Sequence, residues 1–312
     1  MPWLRVPRAP LLRSPRREAP QAVPNQFVVS IGAHVSISSR IYDAIPRAQA
    51  IGCECIQIFV GSPRQWRRVE YAAADLAEFR RRRRAARLEP LVAHAPYLIN
   101  LATPERALYR RSVAALAHTV RGVDALGGLA AITHIGSAAG APWPRALRRI
   151  GRAIAAVLRD SDRTMLLLEG SAGGTIGGRF EELREILDAV GHPRLGICLD
   201  TAHLFAAGWD LRTPGGVAAA VSAFDRVVGV RHLRVLHLND SKAGLGSRLD
   251  RHENIGEGRI GRAGFRAVLA DPVLGRLPGV IETPGFGGAG PDRRNILRLK
   301  ALRAARPRAA VG

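Results

Sequence analysis

The chain has 312 residues and a formal net charge of +21, and 47% of its residues are hydrophobic. Its sequence contains no run of about 18 apolar residues free of charge, so composition does not suggest a membrane-spanning helix. Three cysteines (Cys53, Cys55 and Cys198) cannot form a disulfide framework, and they are expected to be small buried residues in a reducing cytosol.

The positive charge is almost entirely arginine, because Lys242 and Lys300 are the only lysines. An arginine-rich composition with few lysines is typical of a GC-rich coding background. It is also typical of phosphate binding, since the guanidinium group is a planar, permanently charged and bidentate donor. Both explanations stay open at this point.

The first 26 residues differ from the remainder and are predicted to be a disordered basic extension. They are rich in proline and arginine and show no apolar periodicity, so they cannot bury enough surface to offset their chain entropy. They also lack the continuous apolar stretch of a secretory signal. A transit peptide, an upstream false start codon and a basic arm that contacts DNA all remain open. A single domain is predicted over residues 27–312.

From Phe27 onward, short apolar runs alternate with segments of helical length. Eight strands are predicted at Phe27–Val35, Cys55–Val60, Pro90–Leu98, Ala130–Gly136, Thr164–Gly170, Leu195–Asp200, Leu233–Asn239 and Gly279–Thr283. Helices are predicted at Leu76–Arg87, Arg106–Leu126, Pro144–Leu158, Phe180–Val190, Gly216–Val228, Ala263–Leu269 and Arg293–Ala305. Near-continuous apolar strands joined by helices indicate a parallel sheet, and eight such units indicate a closed α/β barrel.

Polar side chains that can bind metals follow the carboxyl ends of these strands. The set comprises His34, His94, His134, Glu169, Asp200, His237 and Glu282, with His203 three residues after Asp200. In a barrel these ends converge on one face. A single histidine at a strand end is usually structural. A set of this size, however, carries a large cost of repulsion and desolvation unless cations neutralise it.

The ligand types narrow the choice of ion. Imidazole and carboxylate ligands without thiolate suit zinc, manganese or iron more than magnesium or calcium. Asp250 and His252 add two ligands in the loop after the seventh strand. This is more than one tetrahedral ion requires, so two or three ions are predicted. Clusters of divalent metals commonly cleave phosphoesters.

Six segments of the sequence resemble, in order and spacing, the bacterial endonuclease IV family, and the resemblance covers about residues 29–285. The segments are Ile31–Ser36, Tyr97–Leu101, Cys198–His203, His237–Lys242, Ser247–His252 and Ile255–Gly261. The resemblance implies a xylose isomerase-like TIM barrel with three Zn²⁺ per chain, and with Mn²⁺ as an alternative at one site. It further implies DNA repair by cleavage 5′ to abasic sites, which leaves a 3′-hydroxyl and a 5′-deoxyribose phosphate, and removal of blocked 3′ ends. The expected partner is double-stranded DNA, and the expected enzyme is monomeric and located in the bacterial cytosol and nucleoid.

The resemblance also implies which residues hold the three ions. The first zinc is assigned His94, His134 and Glu169; the second Glu169, Asp200, His237 and Glu282; and the third His203, Asp250 and His252. Glu169 is the predicted catalytic residue, which orients the attacking hydroxide. His34 is not among the family's ligands, so it is expected to have a structural role beside them.

Two further positions match residues that the family places against DNA at the lesion. Arg64 and Tyr97 are predicted to fill the gap that opens when the damaged nucleotide leaves the base stack. For Tyr97, core packing beside His94 is the alternative. The chain departs from the family pattern at Ile135, where proline is usual, and at Gly170, where asparagine is usual. These departures put affinity and rate in question more than reaction type.

Two other functions are weighed against the nuclease. A metal-dependent sugar isomerase or epimerase uses the same barrel and a similar metal site at the strand ends. Such an enzyme has no need for the Asp250 and His252 loop, for Arg64 or for so basic a surface. A DNA-binding barrel without activity would fit Ile135 and Gly170, but the complete set of ligands argues against it.

Overall fold

The computed structural model describes residues 29–304, so the extension predicted over residues 1–26 lies outside it. Eight parallel strands within this range close a barrel. In chain order they are β1 (Ile31–His34), β2 (Ile56–Phe59), β3 (Leu91–His94), β4 (Ala130–Thr133), β5 (Met165–Glu169), β6 (Leu195–Asp200), β7 (Leu233–His237) and β10 (Gly279–Ile281). The predicted α/β barrel is therefore confirmed. Two short antiparallel strands, β8 (Asp240–Ser241) and β9 (His252–Glu253), pair with each other beside it.

The α-helices pack around the barrel and connect its strands. They are α1 (Ala44–Ile51), α2 (Ala73–Ala86), α3 (Arg106–Leu126), α4 (Trp143–Leu158), α5 (Phe180–Val190), α6 (Thr201–Ala207), α7 (Pro214–Val227), α8 (Gly261–Ala270) and α9 (Arg293–Ala304). The bounds of α3, α5 and β6 agree with the sequence prediction. The prediction omitted α1, where Pro46 occupies the first turn that tolerates proline, and α6, which follows β6 without a loop.

Two apolar layers hold the barrel together. Large side chains such as Phe79, Phe224 and Phe265 are buried between the strands and the surrounding helices. A second cluster fills the barrel interior with smaller side chains: Cys55, Val92, Ala130, Ile132, Leu167, Cys198, Val235 and Val280. Burial raises the pKa of the Cys198 thiol to about 11, so this cysteine contributes packing rather than chemistry.

The connections at the carboxyl ends of the strands determine what can gather there. Asp200 and His237 are register partners at the ends of β6 and β7, so their side chains begin side by side. The pairing of Ser241 with His252 in β8 and β9 holds both ends of the loop that carries Asp250. Among residues 29–304, no helix is long and apolar enough to cross a bilayer.

Candidate metal centre

The period of two along a strand places the polar side chains directly above the apolar interior of the barrel. Each lies two residues beyond a residue of the interior cluster: Gln57 after Cys55, His94 after Val92, His134 after Ile132, Glu169 after Leu167, Asp200 after Cys198, His237 after Val235 and Glu282 after Val280. Residues i and i+2 of a strand point to the same face. The side chains therefore converge at the carboxyl end of the barrel, directly above the apolar interior cluster.

Glu169 lies at the centre of this group and is almost completely buried. Its Oε2 lies 2.9 Å from Nε2 of His94 and 3.4 Å from Nε2 of His134. Its Oε1 lies 2.9 Å from Nδ1 of His237 and 3.6 Å from Nδ1 of His203. Burial raises the pKa of this carboxyl, but the imidazoles of His134 and His237 outweigh burial and hold the pKa well below its usual range. Glu169 is therefore an ionised acceptor.

The side chains form three overlapping groups, each with ligand atoms within 4.8 Å of one another. The groups are His94, His134 and Glu169; Glu169, Asp200, His237 and Glu282; and Asp200, His203 and His252. Glu169 belongs to the first two and Asp200 to the last two. The Asp250 carboxylate borders the third group, at 3.3 Å from His203 Nε2 and 3.2 Å from His252 Nε2. Ligands of a tetrahedral zinc lie about 3.4 Å apart when each bond is about 2.1 Å long, so these separations fit shared ions.

Backbone carbonyls determine which ring nitrogen two of the histidines present. Nδ1 of His94 donates to the carbonyl of Ala95 at 2.6 Å, and Nδ1 of His203 donates to the carbonyl of Gly170 at 2.8 Å. A carbonyl oxygen only accepts, so each ring keeps its proton on Nδ1 and directs Nε2 into the site. Such outer hydrogen bonds are typical of histidines that bind metals.

The third group contains buried nitrogen atoms without a hydrogen bond. Nε2 of His203 and Nε2 of His252 are both buried and unpaired within the described chain, and the nearby Asp250 oxygens do not complete hydrogen-bond geometry. Burial lowers the pKa of both rings, but Asp200 and Asp250 outweigh it and raise the pKa of His203 to about 10 and that of His252 to about 9. The negative charges of Asp200 and Asp250, which stabilise the protonated rings, would also stabilise a divalent cation at this position. Zinc is a suitable ion for a site of two imidazoles and two carboxylates.

Gln57, which the sequence prediction overlooked, connects three of these side chains from below. Its Nε2 donates to Oε1 of Glu282 at 2.6 Å and to Nδ1 of His34 at 2.9 Å. Its Oε1 accepts from Nε2 of His237 at 2.9 Å, which leaves Nδ1 of His237 to face Glu169. This hydrogen bond holds His34 beside the metal ligands, and His34 belongs to none of the three ligand groups. Its position is consistent with the structural role expected from the sequence.

Asn239 makes a second connection that sequence reasoning missed. Its Nδ2 donates to Oδ2 of Asp200 at 2.7 Å, and its Oδ1 accepts from the backbone N–H of Glu282 at 2.7 Å. The other oxygen of Asp200 accepts from the backbone N–H groups of Ala202 and His203 and so caps α6. Asp200 is thus oriented from two directions, and its cap starts the helix that carries His203.

Asp240 is buried but takes no part in the metal groups. Its carboxylate accepts from the backbone N–H groups of Ser241, Gly256, Gly258, Ile260 and Gly261. A Cβ at Gly258 would lie 2.5 Å from Oδ1 of Asp240, so glycine is required for this close approach. The arrangement fastens the glycine-rich run after β9 against the loop after β7.

The two departures from the family pattern leave the ligand geometry intact. The contribution of Gly170 to the site is its backbone carbonyl, which accepts a hydrogen bond from His203. Any residue type at position 170 could provide this carbonyl. A Cβ at this position would make only ordinary contacts, at 3.4 Å from Leu199 and 3.6 Å from Gly177. Ile135 is fully buried, and its carbonyl accepts from Leu101 at 2.9 Å.

Arg64 and Tyr97 lie on adjoining loops at the same end of the barrel. The backbone N–H of Tyr97 donates to the carbonyl of Pro63 at 3.1 Å, next to the exposed Arg64. The ring of Tyr97 is 54% exposed and packs on one side against Phe59 and His94, at centroid distances of 5.4 and 5.5 Å. Tyr97 is therefore partly packed beside His94 and partly exposed at the mouth of the barrel.

The chain is similar in sequence and structure to several known proteins. A sequence profile described as xylose isomerase-like TIM barrel matches residues 45–300. The chain is 41% identical over 283 residues to the probable endonuclease 4 of Methanosphaerula palustris, covering 88% of this chain and 98% of that relative. It is 39% identical over 274 residues to the probable endonuclease 4 of Halothermothrix orenii, covering 86% and 99%.

Two solved structures have a fold similar to that of this chain. Endonuclease IV from Thermus thermophilus superposes with a TM-score of 0.76 at 35% identity, covering 88% of this chain and 98% of that one. A D-tagatose 3-epimerase-like protein superposes with a TM-score of 0.64 at 16% identity, covering 88% and 95%. At that identity the second likeness shows the shared fold alone.

Proposed function

Because the chain belongs to the endonuclease IV family, we propose that it is a zinc-dependent DNA repair nuclease that hydrolyses the phosphodiester 5′ to abasic sites. The products would be a 3′-hydroxyl and a 5′-deoxyribose phosphate. The proposal includes removal of blocked 3′ ends, since this also hydrolyses a phosphodiester beside a damaged sugar. Double-stranded DNA is the proposed partner of a monomeric enzyme in the cytosol and nucleoid.

The proposal rests mainly on one observation. At the open end of the barrel, Glu169 belongs to the first and second ligand groups, and Asp200 belongs to the second and third. Shared carboxylates would hold three zinc ions next to one another, and His203, His252 and Asp250 would surround the third, with Mn²⁺ as an alternative at one site. Zinc bound in these groups supplies Lewis-acid stabilisation of the charge that develops on the phosphate and on the leaving oxygen.

The side chains of the protein orient the reactants. We propose that ionised Glu169, as a hydrogen-bond acceptor, holds and orients the attacking water in line with the phosphorus atom. Hydrogen bonds with Ala95, Gly170 and Gln57 fix the ring orientations of His94, His203 and His237 before substrate binds. The exposed Tyr97 and Arg64 would contact the DNA beside the lesion and fill the gap left by the extruded nucleotide.

Incision of a duplex that carries one abasic-site analogue tests this function. The enzyme should cleave 5′ to the analogue, lose activity after prolonged chelation, and regain it when zinc is restored. An undamaged duplex of the same sequence is the control. Incision that is insensitive to removal of all metal would overturn the proposal.

A metal-dependent sugar epimerase is the second candidate, because the barrel fold shared with the epimerase-like structure does not by itself distinguish the two functions. An epimerase of this type would need one or two ions, whereas His203, His252 and Asp250 provide ligands for a further one. Metal analysis of the purified protein separates the two functions. Three zinc ions per chain support the nuclease, and one manganese per chain supports the epimerase.

A further inference from the structure

An arginine surface lies on the outside of the barrel, along the seam between α3 and α4. It consists of Arg106 and Arg110 on α3 and Arg145, Arg148 and Arg152 on α4, all of them exposed. The seam is defined by Tyr109 of α3, whose hydroxyl donates to the backbone carbonyl of Arg149 at 3.0 Å. We call these five residues the α3–α4 arginine surface.

The charges of this surface are uncompensated. Within the part of the chain that the structure describes, none of the five guanidinium groups forms an ion pair, and α4 contains no acidic residue. Glu105, which precedes α3, is exposed and pairs with none of them, and Glu185 of α5 instead accepts from Trp143. The positive charge is therefore available to an external polyanion.

Some arginines on the other outer helices are neutralised by ion pairs. Arg81 and Arg82 of α2 pair with Glu78, Arg184 of α5 pairs with Asp188, and Arg298 of α9 pairs with Glu257. A compositional bias toward arginine would affect all these helices alike. Exposed arginines outside ion pairs also occur on other described helices, such as Arg262 and Arg266 of α8. The α3–α4 surface differs because it groups five of them on two adjacent helices.

The placement also opposes helix stability. Arg106 is the first residue of α3 and Arg145 the third of α4, where a positive charge meets the positive end of the helix dipole. Arg145, Arg148 and Arg152 follow the spacing i, i+3, i+7 and therefore share one side of the helix, where like charges repel. These arginines therefore bring their helices no electrostatic benefit, and their charge remains directed to solvent.

The surface is continuous with the candidate site. Arg149, which lies within the seam, donates to the carbonyl of Ala102 at 3.4 Å, and Ala102 belongs to the loop that carries Tyr97. Both helices begin at the end of the barrel where His94 and His134 lie. The three arginines of α4, from Arg145 to Arg152, extend about 10 Å along the helix axis. Over this length a DNA duplex carries about six phosphate charges.

We propose that the α3–α4 arginine surface binds the phosphate backbone of duplex DNA beyond the lesion, as an accessory site that extends the contact from the mouth of the barrel down its flank. The inference rests on the proposed function and specifies how the same enzyme holds the undamaged part of its substrate. The proposed site does not recognise base sequence, because contacts between guanidinium groups and phosphates position the DNA without distinguishing one base pair from another.

The test compares R145Q/R148Q/R152Q with the control R226Q/R231Q/R276Q, which removes the same charge from exposed arginines at the opposite end of the barrel. Binding is measured against salt concentration on an undamaged duplex of several helical turns. The binding constant decreases as salt rises, and we expect this dependence to be weaker in the α4 variant. The magnitude of the slope of log K against log salt should decrease by about 0.9 for each phosphate that the variant no longer neutralises. The control should keep the parent slope, and melting curves should show that both variants fold.

A second arm uses a short abasic duplex of about one helical turn, which spans only the mouth of the barrel. On this substrate kcat and KM of the α4 variant should equal those of the parent. A parent slope in the α4 variant, or an equal loss in the control, would overturn the inference. Failure of the parent to incise abasic DNA would instead overturn the proposed function, since binding to undamaged duplex is measured without cleavage.

Discussion

The side-chain carbonyl of Gln57 accepts a hydrogen bond from Nε2 of His237 at 2.9 Å, although the two residues are 180 positions apart in the chain. The amide of Gln57 also donates to Glu282, so it orients one imidazole and one carboxylate of the same ligand group. This single buried side chain therefore determines which nitrogen of His237 faces Glu169.

Replacement of Gln57 by leucine should weaken zinc retention by about 10- to 100-fold, the usual effect of losing an outer hydrogen bond to a metal ligand. Competition with a chromogenic chelator measures this directly, independently of DNA cleavage. Thr119→Val is a suitable control, because it also removes a buried hydrogen bond but lies on α3 away from the ligands. Equal zinc affinity in Gln57→Leu and the parent would contradict this role.

Substitution of Glu169 by glutamine keeps the shape of the side chain but removes its charge. Because Glu169 contacts four histidines at the centre of the site, we expect incision to fall by at least about 10² to 10³-fold with little loss of DNA binding. Single-turnover cleavage and equilibrium binding to the abasic duplex measure the two effects separately. The exposed Glu181→Gln is the control, and near-normal turnover by Glu169→Gln would refute the catalytic assignment.

The third ligand group should exchange protons for metal. The pKa of His203 is about 10 and that of His252 about 9, so at pH 7 both rings are protonated until an ion displaces the protons. Zinc binding there should release about two protons. Calorimetric titration of chelator-treated protein in buffers of different ionisation enthalpy measures this number. His252→Ala should release fewer protons than the parent, and proton release that is independent of His252 would contradict the prediction.

The sequence predicts the barrel and its ligands better than it predicts what holds them. Strand ends mark Glu169 and Asp200 because a charged residue after an apolar run is conspicuous. The predicted first strand extends to Val35, although β1 ends at His34, because residues beyond the strand ends are also buried. Gln57 escapes notice because a glutamine within a strand has no local signal, and its partners become neighbours only when the barrel closes.

At the opposite end of the barrel, Glu54 connects α9 to the first strand. It accepts from the backbone N–H of Ile31 at 2.9 Å and from Arg303 at 2.6 Å, and its carboxylate lies 3.1 Å from Nζ of Lys300. Burial raises the pKa of Glu54, but these partners outweigh it and lower the pKa to about 2. A carboxyl whose pKa is lower in the folded state stabilises the fold above its unfolded pKa. This contribution should disappear as the pH falls from about 4.5 to 2.

Glu54→Gln should therefore lower the melting temperature at pH 7 by a few degrees, and the difference from the parent should shrink toward pH 2. Glu257→Gln is a suitable control, because a hydrogen bond from Arg298 also lowers the pKa of Glu257 but this carboxylate is exposed. Exposed ion pairs contribute little to stability, so this variant should melt close to the parent. A larger effect of Glu257→Gln than of Glu54→Gln would contradict the prediction.

Tyr97 offers the clearest separation between recognition of the lesion and metal chemistry. Its ring is more than half exposed, yet one face packs against His94, so it can contact an unstacked nucleotide without leaving the site. Loss of an aromatic ring that stacks on a base costs about 1–3 kcal/mol, so Tyr97→Ala should reduce the preference for abasic over undamaged duplex by about 5- to 150-fold. Tyr97→Phe should retain most of that preference, because the ring supplies the contact. Competition binding with both duplexes and zinc analysis decide the matter: unchanged lesion preference in Tyr97→Ala, or zinc loss that accounts for the whole effect, would show that the ring only packs against the ligand.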